Sequence, residues 1–320
     1  MSEPRGVFVG LTTLDVVHVV DRAPAPNEKV TATAQFLAAG GPAANAAVTF
    51  AALGGQATLV TAIGRGSVAE VIVADLERHG VRIVDLTPDE GDRAPVSAVS
   101  VNPAKAQRSV VSIDATGASV AAPASADARA LVGEAAVVLI DGHHPALAVA
   151  VAGAARAAGL PVVVDAGRWK PVMADLIDLD PHMLCSDDFR LPGTDSADDS
   201  ARELRQLVGT VVTTHGGAPV DYRERGEPEG RIEVPPVNAI DTLGAGDVFH
   251  GAYAFALAAG EADIRERIAF AAGIAGRRVA TMGPREWLTA LHAPSAPSPS
   301  PSVPTHSDPS SPGAEKQVRP

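Results

Sequence analysis

Short runs rich in valine, isoleucine and leucine alternate with longer alanine-rich stretches along most of the chain, and this alternation limits the fold more than any other feature. The short runs are typical of buried strands, and the longer stretches carry helical spacing. The predicted strands are Val7–Gly10, Ala57–Ile63, Ala136–Ile140, Pro161–Asp165, His182–Cys185 and Thr210–Thr214, and the predicted helices are Ala43–Leu53, Ser67–His79, Ala146–Ala158 and Ala197–Leu207. Strand–helix repeats of this kind predict an α/β fold of three layers, α/β/α, with a mostly parallel central sheet.

Two stretches, at about residues 11–36 and 94–115, interrupt the alternation because they resemble partly exposed strands without helices between them. We predict that they form a small β-sheet that projects from the main domain as a lid. From residue 293 the sequence is rich in Pro and Ser and has almost nothing apolar to bury, which is typical of a disordered tail. The predicted organisation is one domain over residues 1–292 and a tail over residues 293–320.

Composition argues against several classes of partner. The chain has a formal charge of −12 and no run of Lys or Arg, so it lacks the clustered cations that a nucleic-acid backbone requires. Cys185 is the only cysteine, which excludes an intrachain disulfide and a cysteine-built metal site. The first residues show no secretory signal, and no apolar run is long enough to cross a bilayer. We therefore expect a cytoplasmic protein with no membrane partner.

The segment at residues 238–257, NAIDTLGAGDVFHGAYAFAL, carries the strongest chemical signal. An extended run ends in the turn Gly244-Ala245-Gly246, and a strongly apolar helix begins at Asp247. The amides of this turn can converge at the positive end of the helix dipole, which makes an anion hole suited to a transferring phosphoryl group. Asp247 at the mouth of that hole is a candidate general base, or alternatively a helix N-cap.

The segment at residues 38–55, AAGGPAANAAVTFAALGG, is the second informative stretch. Gly40 and Gly41 precede Pro42, a residue that suits the first turn of a helix. The glycine pair would let a ligand approach the backbone closely. Asn45 could hydrogen-bond a polyol, or it could satisfy backbone groups at the start of the helix. The residues alone leave both alternatives open.

Together the two segments resemble the signatures of the ribokinase-like (PfkB) family of carbohydrate and nucleoside kinases. GGPAANAAVTFAALGG is similar to the N-terminal signature of that family, and DTLGAGDVFHGAYAFAL is similar to its C-terminal signature. The resemblance covers about residues 5–290 and implies a ribokinase-like fold with a β-sheet lid. It also implies an ATP-dependent kinase in which Asp247 is the catalytic base and the amides of residues 244–246 form the anion hole.

The resemblance also assigns residues to the substrate. Asp15 lies where family members place an aspartate that binds substrate hydroxyls, and Gly40, Gly41 and Asn45 fall on positions that contact the sugar. Arg108, in the lid stretch AQRSVV, matches a commonly basic position and would reach the substrate or a phosphate.

Further residues would serve ATP and its metal ions. VTTHGG resembles the nucleotide-binding strand and turn of the family, which implies that Thr214 and Gly216 contact ATP. Asp241 and Thr242 precede the anion hole, where many members bind a monovalent cation such as K⁺. The chain departs from the family where an Asn-x-x-Glu motif usually organises Mg²⁺, because SDDF stands there instead. Mg²⁺ is still expected as the magnesium complex of ATP, with Asp187 serving it through water.

We expect a sugar acceptor, with a preference for a free ketose, because AIGRGSVAEV resembles the ketohexokinase members of the family. A nucleoside kinase would need stacking surface in the lid, where Phe36 is nearly all that is available. A phosphosugar kinase would need several cations, for which Arg108 and Arg168 are the candidates. A non-catalytic sugar-binding regulator on the same fold is the third alternative. Because family members often pair their lids, the resemblance also implies a homodimer.

Overall fold

The structure, a computed structural model, describes residues 3–91, 93–116 and 120–291. The predicted tail at residues 293–320 lies outside these described residues. In chain order the strands are β1 (Arg5–Val9), β2 (Thr13–Val19), β3 (Ala34–Gly40), β4 (Gln56–Thr61), β5 (Val81–Asp85), β6 (Val96–Asn102), β7 (Gln107–Val111), β8 (Val137–Ile140), β9 (Val162–Ala166), β10 (His182–Ser186), β11 (Thr210–His215), β12 (Ala218–Glu224) and β13 (Gly230–Ile232).

The helices surround the larger of two sheets. They are α1 (Pro42–Ala52), α2 (Ser67–Arg78), α3 (Ser125–Val132), α4 (Pro145–Ala157), α5 (Val172–Ile177), α6 (Ala197–Leu207), α7 (Ala245–Ala258), α8 (Ile264–Val279) and α9 (Trp287–Leu291), with a short 3-10 helix at Pro103–Lys105. Within the described ranges, none of them combines the length and the apolar character that a membrane crossing needs.

The larger sheet has the strand order β13-β12-β11-β10-β9-β8-β1-β4-β5. It is parallel from β11 to β5, and its other edge, β11 to β13, is antiparallel. Every strand and helix predicted from the alternation is present, and the predicted fold class is confirmed. In sheets of this kind, ligands bind outside the carboxyl ends of the strands.

Alternate residues along the parallel strands face opposite layers of helices. Phe8 on β1 packs in the core formed with α1, α2, α7 and α8, where its ring meets Phe50 edge-on at 5.2 Å between centroids. Val7 and Val9 face the second core, formed with α3 to α6. Because both faces are covered, these strands are apolar throughout, which is why short continuous runs marked them in the sequence.

The smaller sheet has the order β3-β2-β6-β7 and comes from the two stretches that lack helices. β2 runs parallel to β6, and the other two pairings are antiparallel. β2 follows β1 closely in the chain, and β3 leads directly into α1. The smaller sheet therefore stands at the carboxyl edge of the larger one, beside the start of α1.

Candidate active site

The first glycine-rich turn joins β3 to α1 and is tightly packed. A Cβ added at Gly40 would lie 2.1 Å from Oδ2 of Asp15, and one added at Gly41 would lie 2.3 Å from the carbonyl oxygen of Leu11. Gly41 also has a φ of +95°, which favours glycine. Packing alone therefore requires both glycines, and their small size brings the Asp15 carboxylate against the start of α1.

A buried aspartate fixes this turn from the opposite side. Oδ2 of Asp141, after β8, accepts hydrogen bonds from the amides of Leu11 at 2.8 Å and Ala43 at 3.3 Å. Burial alone would raise the pKa of Asp141, but His143 and Lys170 beside it hold that pKa well below its usual range. The carboxylate therefore stays charged and anchors the N-terminus of α1.

The second glycine-rich turn, at the start of α7, is open. Gly244 is left-handed, with a φ of +68°, and the amide of Ala245 donates to the carbonyl of Thr242 at 3.4 Å. Within the described ranges, the amides of Gly246 and Asp247 have no backbone acceptor, and no side chain caps the helix. The first turn of α7 therefore offers free N–H groups to an anion, and Asp247 does not act as an N-cap.

The two turns meet through the side chains of Asn45 and Asp247. Nδ2 of Asn45, in the first turn of α1, donates to Oδ2 of Asp247 at 2.8 Å, and both residues are half-buried. A Cβ added at Gly244 would lie 3.4 Å from the same Nδ2. The fold thus brings together the predicted sugar-binding amide, the predicted base and the predicted anion hole.

Asp247 ionises less readily than an ordinary aspartate. Burial, reinforced by the negative charge of Asp165 at the end of β9, raises the pKa of Asp247 from 3.8 to about 6, and the hydrogen bond from Asn45 opposes this rise. Nδ1 of His250, one turn further along α7, lies 3.0 Å from Oδ2 of Asp165. A carboxylate with a pKa near 6 is ionised at neutral pH and still accepts a proton readily.

Asp15 faces the same pocket from the smaller sheet. Its Oδ1 accepts a hydrogen bond from Oγ1 of Thr13 at 2.6 Å, and burial raises its pKa. Asp15, Asn45 and Gly244 all line one narrow pocket. An aspartate and an amide side chain this close together supply a hydrogen-bond donor and acceptors that suit hydroxyl groups.

Arg108 reaches the anion hole from β7 of the smaller sheet. Its Nη1 donates to Oγ1 of Thr242 at 3.0 Å, although the side chain is exposed. The smaller sheet therefore extends a cation across the cleft to the turn that precedes α7.

The side chain of Asp241 does not fit the monovalent cation that the resemblance implied, and the part of Thr242 in such a site stays a prediction. Asp241 is fully buried, and its Oδ2 accepts hydrogen bonds from Nη2 of Arg278 at 2.9 Å and from the amide of Gly283 at 3.2 Å. Its Oδ1 accepts one from the amide of Leu243 at 3.0 Å. A K⁺ ion bound by this carboxylate would have to displace the Arg278 guanidinium, which already supplies the positive charge.

The predicted nucleotide residues lie at the ends of β10 and β11, apart from the Asp247 group. Thr214 is half-buried, and Gly216, with a φ of +63°, forms the exposed turn between β11 and β12. Oδ1 of Asp187, just after β10, lies 2.9 Å from Nδ1 of His215. All of these groups are at the carboxyl edge of the sheet, on or just after β10, which neighbours β9, and β11, which is the next strand beyond β10.

The donors at this edge suit a metal ion that arrives with its own ligands. No group of three or more His, Cys, Asp or Glu side chains that could hold a metal ion occurs in the described ranges. Asp187 offers one largely exposed carboxylate, with 65% of its side chain accessible. A single exposed carboxylate fits Mg²⁺ bound mainly by nucleotide phosphates and water, which is the usual arrangement for this ion.

Comparison with known proteins identifies a family over nearly the whole chain, including both glycine-rich turns. Residues 4–290 match the pfkB family carbohydrate kinases. The chain belongs to this family. Mouse ketohexokinase is 24% identical over 298 residues, covering 88% of this chain and 98% of the relative. Ribokinase from Bacillus subtilis is 26% identical over 279 residues, covering 86% of this chain and 92% of the relative.

A solved structure shows the same fold. Arabidopsis thaliana ribokinase, determined in complex with ribose and ATP, superposes with a TM-score of 0.72 at 23% identity, covering 92% of this chain and all of the other. As a pfkB-family sugar kinase, the chain is a phosphotransferase with a hydroxyl group as acceptor. The predicted enzyme class and family are therefore confirmed.

Four charged residues around the pfkB-family signatures had no signal in the sequence. Asp141 anchors the first turn, Asp165 flanks Asp247, Arg278 pairs with Asp241, and Arg285 contacts Asn45. They belong to no short motif, because each acts on a partner that the fold brings close from elsewhere in the chain. A buried charge can be inferred from sequence only when its partner is known.

Proposed function

We propose that this protein is an ATP-dependent sugar kinase that transfers the γ-phosphoryl group of Mg-ATP to a hydroxyl of a free sugar, with a preference for a ketose. The observation that carries the proposal is the half-buried carboxylate of Asp247, hydrogen-bonded by Asn45 at 2.8 Å, at a helix start whose amides are free. A base and an anion site at one helix terminus are what transfer to a hydroxyl requires.

In this mechanism Asp15, which lies against the start of α1, and Asn45, which contacts Asp247, bind hydroxyls of the sugar. Asp247 takes the proton of the attacking sugar hydroxyl. The oxygen of that hydroxyl bonds to the γ-phosphorus while the bond from the γ-phosphorus to the leaving ADP breaks. The amides of Gly244, Gly246 and Asp247 stabilise the charge on the transferring group, whereas the predicted amide of Ala245 is already paired with the carbonyl of Thr242. We also propose that the sugar closely approaches the protein backbone at Gly40 and Gly41, in addition to the role of these glycines in packing.

The ATP side of the cleft is assigned to the ends of β10 and β11. Thr214 and Gly216 would contact the nucleotide, and Asp187 would hold Mg²⁺ through water, while Arg108 would contact the substrate or a phosphate. Mg²⁺ bound to ATP neutralises phosphate charge during transfer. Because ATP is abundant in the cytoplasm, we propose that compartment for the reaction.

The first experiment measures ADP release from Mg-ATP across free ketoses, aldoses, polyols, nucleosides and phosphosugars. Turnover with a free ketose that falls by about two to four orders of magnitude in Asp247→Asn would support the proposal. Asp263→Asn is the matched control, because Asp263 caps α8 through the amide of Arg265 at 2.8 Å and lies outside the site. This control should keep wild-type turnover.

Other outcomes would change the assignment. Turnover only with phosphosugars or nucleosides would replace the free sugar as substrate. Sugar binding without turnover on any acceptor would favour the non-catalytic regulator. Wild-type turnover in Asp247→Asn would contradict the role of the base.

We also propose a homodimer that pairs the smaller sheets of two copies. The support is a set of exposed apolar side chains on or next to that sheet: Leu37, Val96, Val110, Val111 and Ile113 are 44–74% accessible. An apolar surface of this kind favours burial against a partner. Sedimentation equilibrium should give a dimer for the wild type and a monomer for Leu37→Glu/Val111→Lys. A monomeric wild type would refute the pairing.

We assign the activity to residues 1–292, since all the proposed site residues lie between Asp15 and Asp247. A chain ending at residue 292 should keep the turnover of the full-length protein. Loss of turnover in a folded truncation would move the domain limit.

A further inference from the structure

Arg285 lies beside the candidate site and makes hydrogen bonds to three parts of the chain. Its Nη1 donates to Oδ1 of Asn45 at 3.1 Å, and its Nη2 donates to the carbonyl of Ala39 at 2.6 Å. Nε and Nη2 also donate to Oδ2 of Asp75 on α2, at 3.2 and 3.1 Å. Arg285 therefore ties the loop before α9 to β3, α1 and α2 at once.

The surroundings of Arg285 indicate a brace rather than a ligand-binding cation. Its charge is balanced by Asp75, whose Oδ2 also accepts the amide of Ala39 at 3.0 Å. The side chains of both ion-pair partners are only 12–13% accessible. With its donors directed at Asn45, Asp75, Ala39 and the carbonyl of Pro284, the guanidinium has no N–H group left for a substrate anion.

The contact with Asn45 determines which way its amide points. Because Arg285 donates to Oδ1, the oxygen faces the guanidinium, and Nδ2 is left to donate to Asp247 at 2.8 Å. A flipped amide would set its NH₂ group against the guanidinium and its oxygen against the carboxylate. Both contacts would then be repulsive, so the pair of contacts specifies one orientation.

We propose that Arg285 is a positioning residue that orients Asn45, and through it the carboxylate of Asp247, for proton transfer. The inference rests on the proposed function, since it gives Arg285 a part in the action of the same base. It gives a residue outside both sequence signatures control over the orientation of Asn45 and of the proposed base.

Burial raises the pKa of Asp247 most, and several nearby groups add to this rise or oppose it. Asp165 on β9 and Asp15 on β2 raise the pKa of Asp247, whereas Asn45 on α1 and His250 on α7 lower it. Arg285 acts on this balance through the Asn45 hydrogen bond. When Arg285 is removed, Asn45 is free to rotate, and the carboxylate loses a donor that favours its ionised form.

The test compares Arg285→Met and Arg285→Lys with Arg267→Met. Arg267 on α8 is the matched control, because it is 4% exposed, donates to Oε1 of Glu224 at 3.0 Å and lies outside the site. Arg285→Met should lower kcat about ten- to a hundredfold and should also raise the KM for the sugar, because Asn45 is a proposed sugar contact. In Arg285→Met, the pH below which kcat falls (the acid limb of the pH–kcat profile) should rise by about one unit.

The two controls separate positioning from charge and from stability. Arg285→Lys keeps the charge beside Asp75 but cannot reach Asn45, Ala39 and Asp75 together, so it should show the same shift of the acid limb. Arg267→Met should lose thermal stability without moving that limb. If Arg285→Met fails to fold, the double variant with Asp75→Asn removes the unpaired buried charge and takes its place.

A second readout does not depend on turnover. Carboxyl ¹³C NMR of aspartate-labelled protein, with the Asp247 resonance assigned by its loss in Asp247→Asn, measures the pKa of Asp247 directly. A higher pKa of Asp247 in Arg285→Met and Arg285→Lys, but not in Arg267→Met, supports the proposal. An unchanged pKa together with an unchanged pH–kcat profile overturns it. Failure of the wild type to phosphorylate any acceptor would refute the proposed function, and the titration would still decide the role of Arg285.

Discussion

Two glycine-rich turns flank the contact between Asn45 and Asp247, and they are glycine-rich for different reasons. In the first, a Cβ at Gly40 or Gly41 would lie within 2.3 Å of Asp15 or Leu11 atoms. In the second, a Cβ at Gly246 would have no atom within 4 Å, apart from its own helix backbone and chain neighbours. The first turn is filled by the protein, and the second is open to solvent.

This difference shows that similar sequence motifs can carry different constraints. Glycine in the first turn lets two parts of the protein pack closely, so its replacement should act on folding. Glycine at residue 246 leaves room in front of free amides, so its replacement should act on a bound anion. A motif match alone does not distinguish these two roles.

The largest expected effect is on the first turn. Gly41→Ala should lower the free energy of unfolding by about 4 kcal/mol or more, because it adds a clash with a backbone oxygen to the strain of a positive φ. Gly54→Ala is the matched control, since Gly54 has the same φ of +95° and no atom within 4 Å of its added Cβ. It should lose only about 1 kcal/mol. Equal losses in urea unfolding would mean that packing does not constrain Gly41.

The second turn should respond in the opposite way. Gly246→Ala should raise the free energy of unfolding by roughly 0.5–1 kcal/mol, since alanine favours a helix. Its kcat should fall about ten- to a hundredfold, because the methyl group crowds the anion site. Gly273→Ala in the middle of α8, where an added Cβ also meets nothing within 4 Å, should gain the same stability with no loss of kcat. Unchanged turnover in Gly246→Ala would contradict the assignment of the anion site to this turn.

The acid that follows the second turn should set the pH dependence. Because burial raises the pKa of Asp247 to about 6, kcat/KM should fall below about pH 6 as the base becomes protonated. The same shift means that the folded protein binds this proton more tightly than the unfolded chain. At pH values above about 6, ionised Asp247 therefore lowers the free energy of unfolding. This loss of stability disappears as the pH falls towards 3.8, the ordinary pKa of aspartate.

Asp247→Asn should accordingly raise the melting temperature at pH 7 and leave it nearly unchanged at pH 4. Differential scanning fluorimetry across this pH range would check the sign. A lower melting temperature at pH 7 would show that the carboxylate stabilises the fold, contrary to its position.

The smallest expected effect concerns monovalent cations before the second turn. Because Arg278 already pairs with Asp241 at 2.9 Å, exchanging KCl for NaCl at constant ionic strength should leave kcat unchanged. Strong activation by K⁺ would require the ion pair to open and would restore the cation site that the sequence resemblance implied.

The sequence predicted six of the seven parallel strands because each is a continuous apolar run covered on both faces. It did not predict β5, Val81–Asp85, at the parallel edge, where Arg82 interrupts the apolar run and the strand is only partly buried. It gave no prediction for β12, Ala218–Glu224, where polar and apolar residues alternate on the antiparallel edge and the pattern is weaker. Asn45 and Asp247 could be proposed as site residues from the sequence because each lies in a short segment that resembles a family signature. Arg285 could not, because its function depends on contacts with α1, α2 and β3 that only the folded chain creates.

The contacts of Asn45 with Asp247 and of Arg285 with Ala39 join parts of the chain that are synthesised far apart in time. Asn45 and Asp247 are 202 positions apart, and Arg285 is 246 positions from Ala39. Contacts of such long range form late, after most of the chain has left the ribosome. A nascent chain that already displays the ends of β10 and β11 would still lack α7 and Arg285. Phosphoryl transfer would therefore begin only on chains long enough to include α7, and shorter nascent chains would not consume ATP.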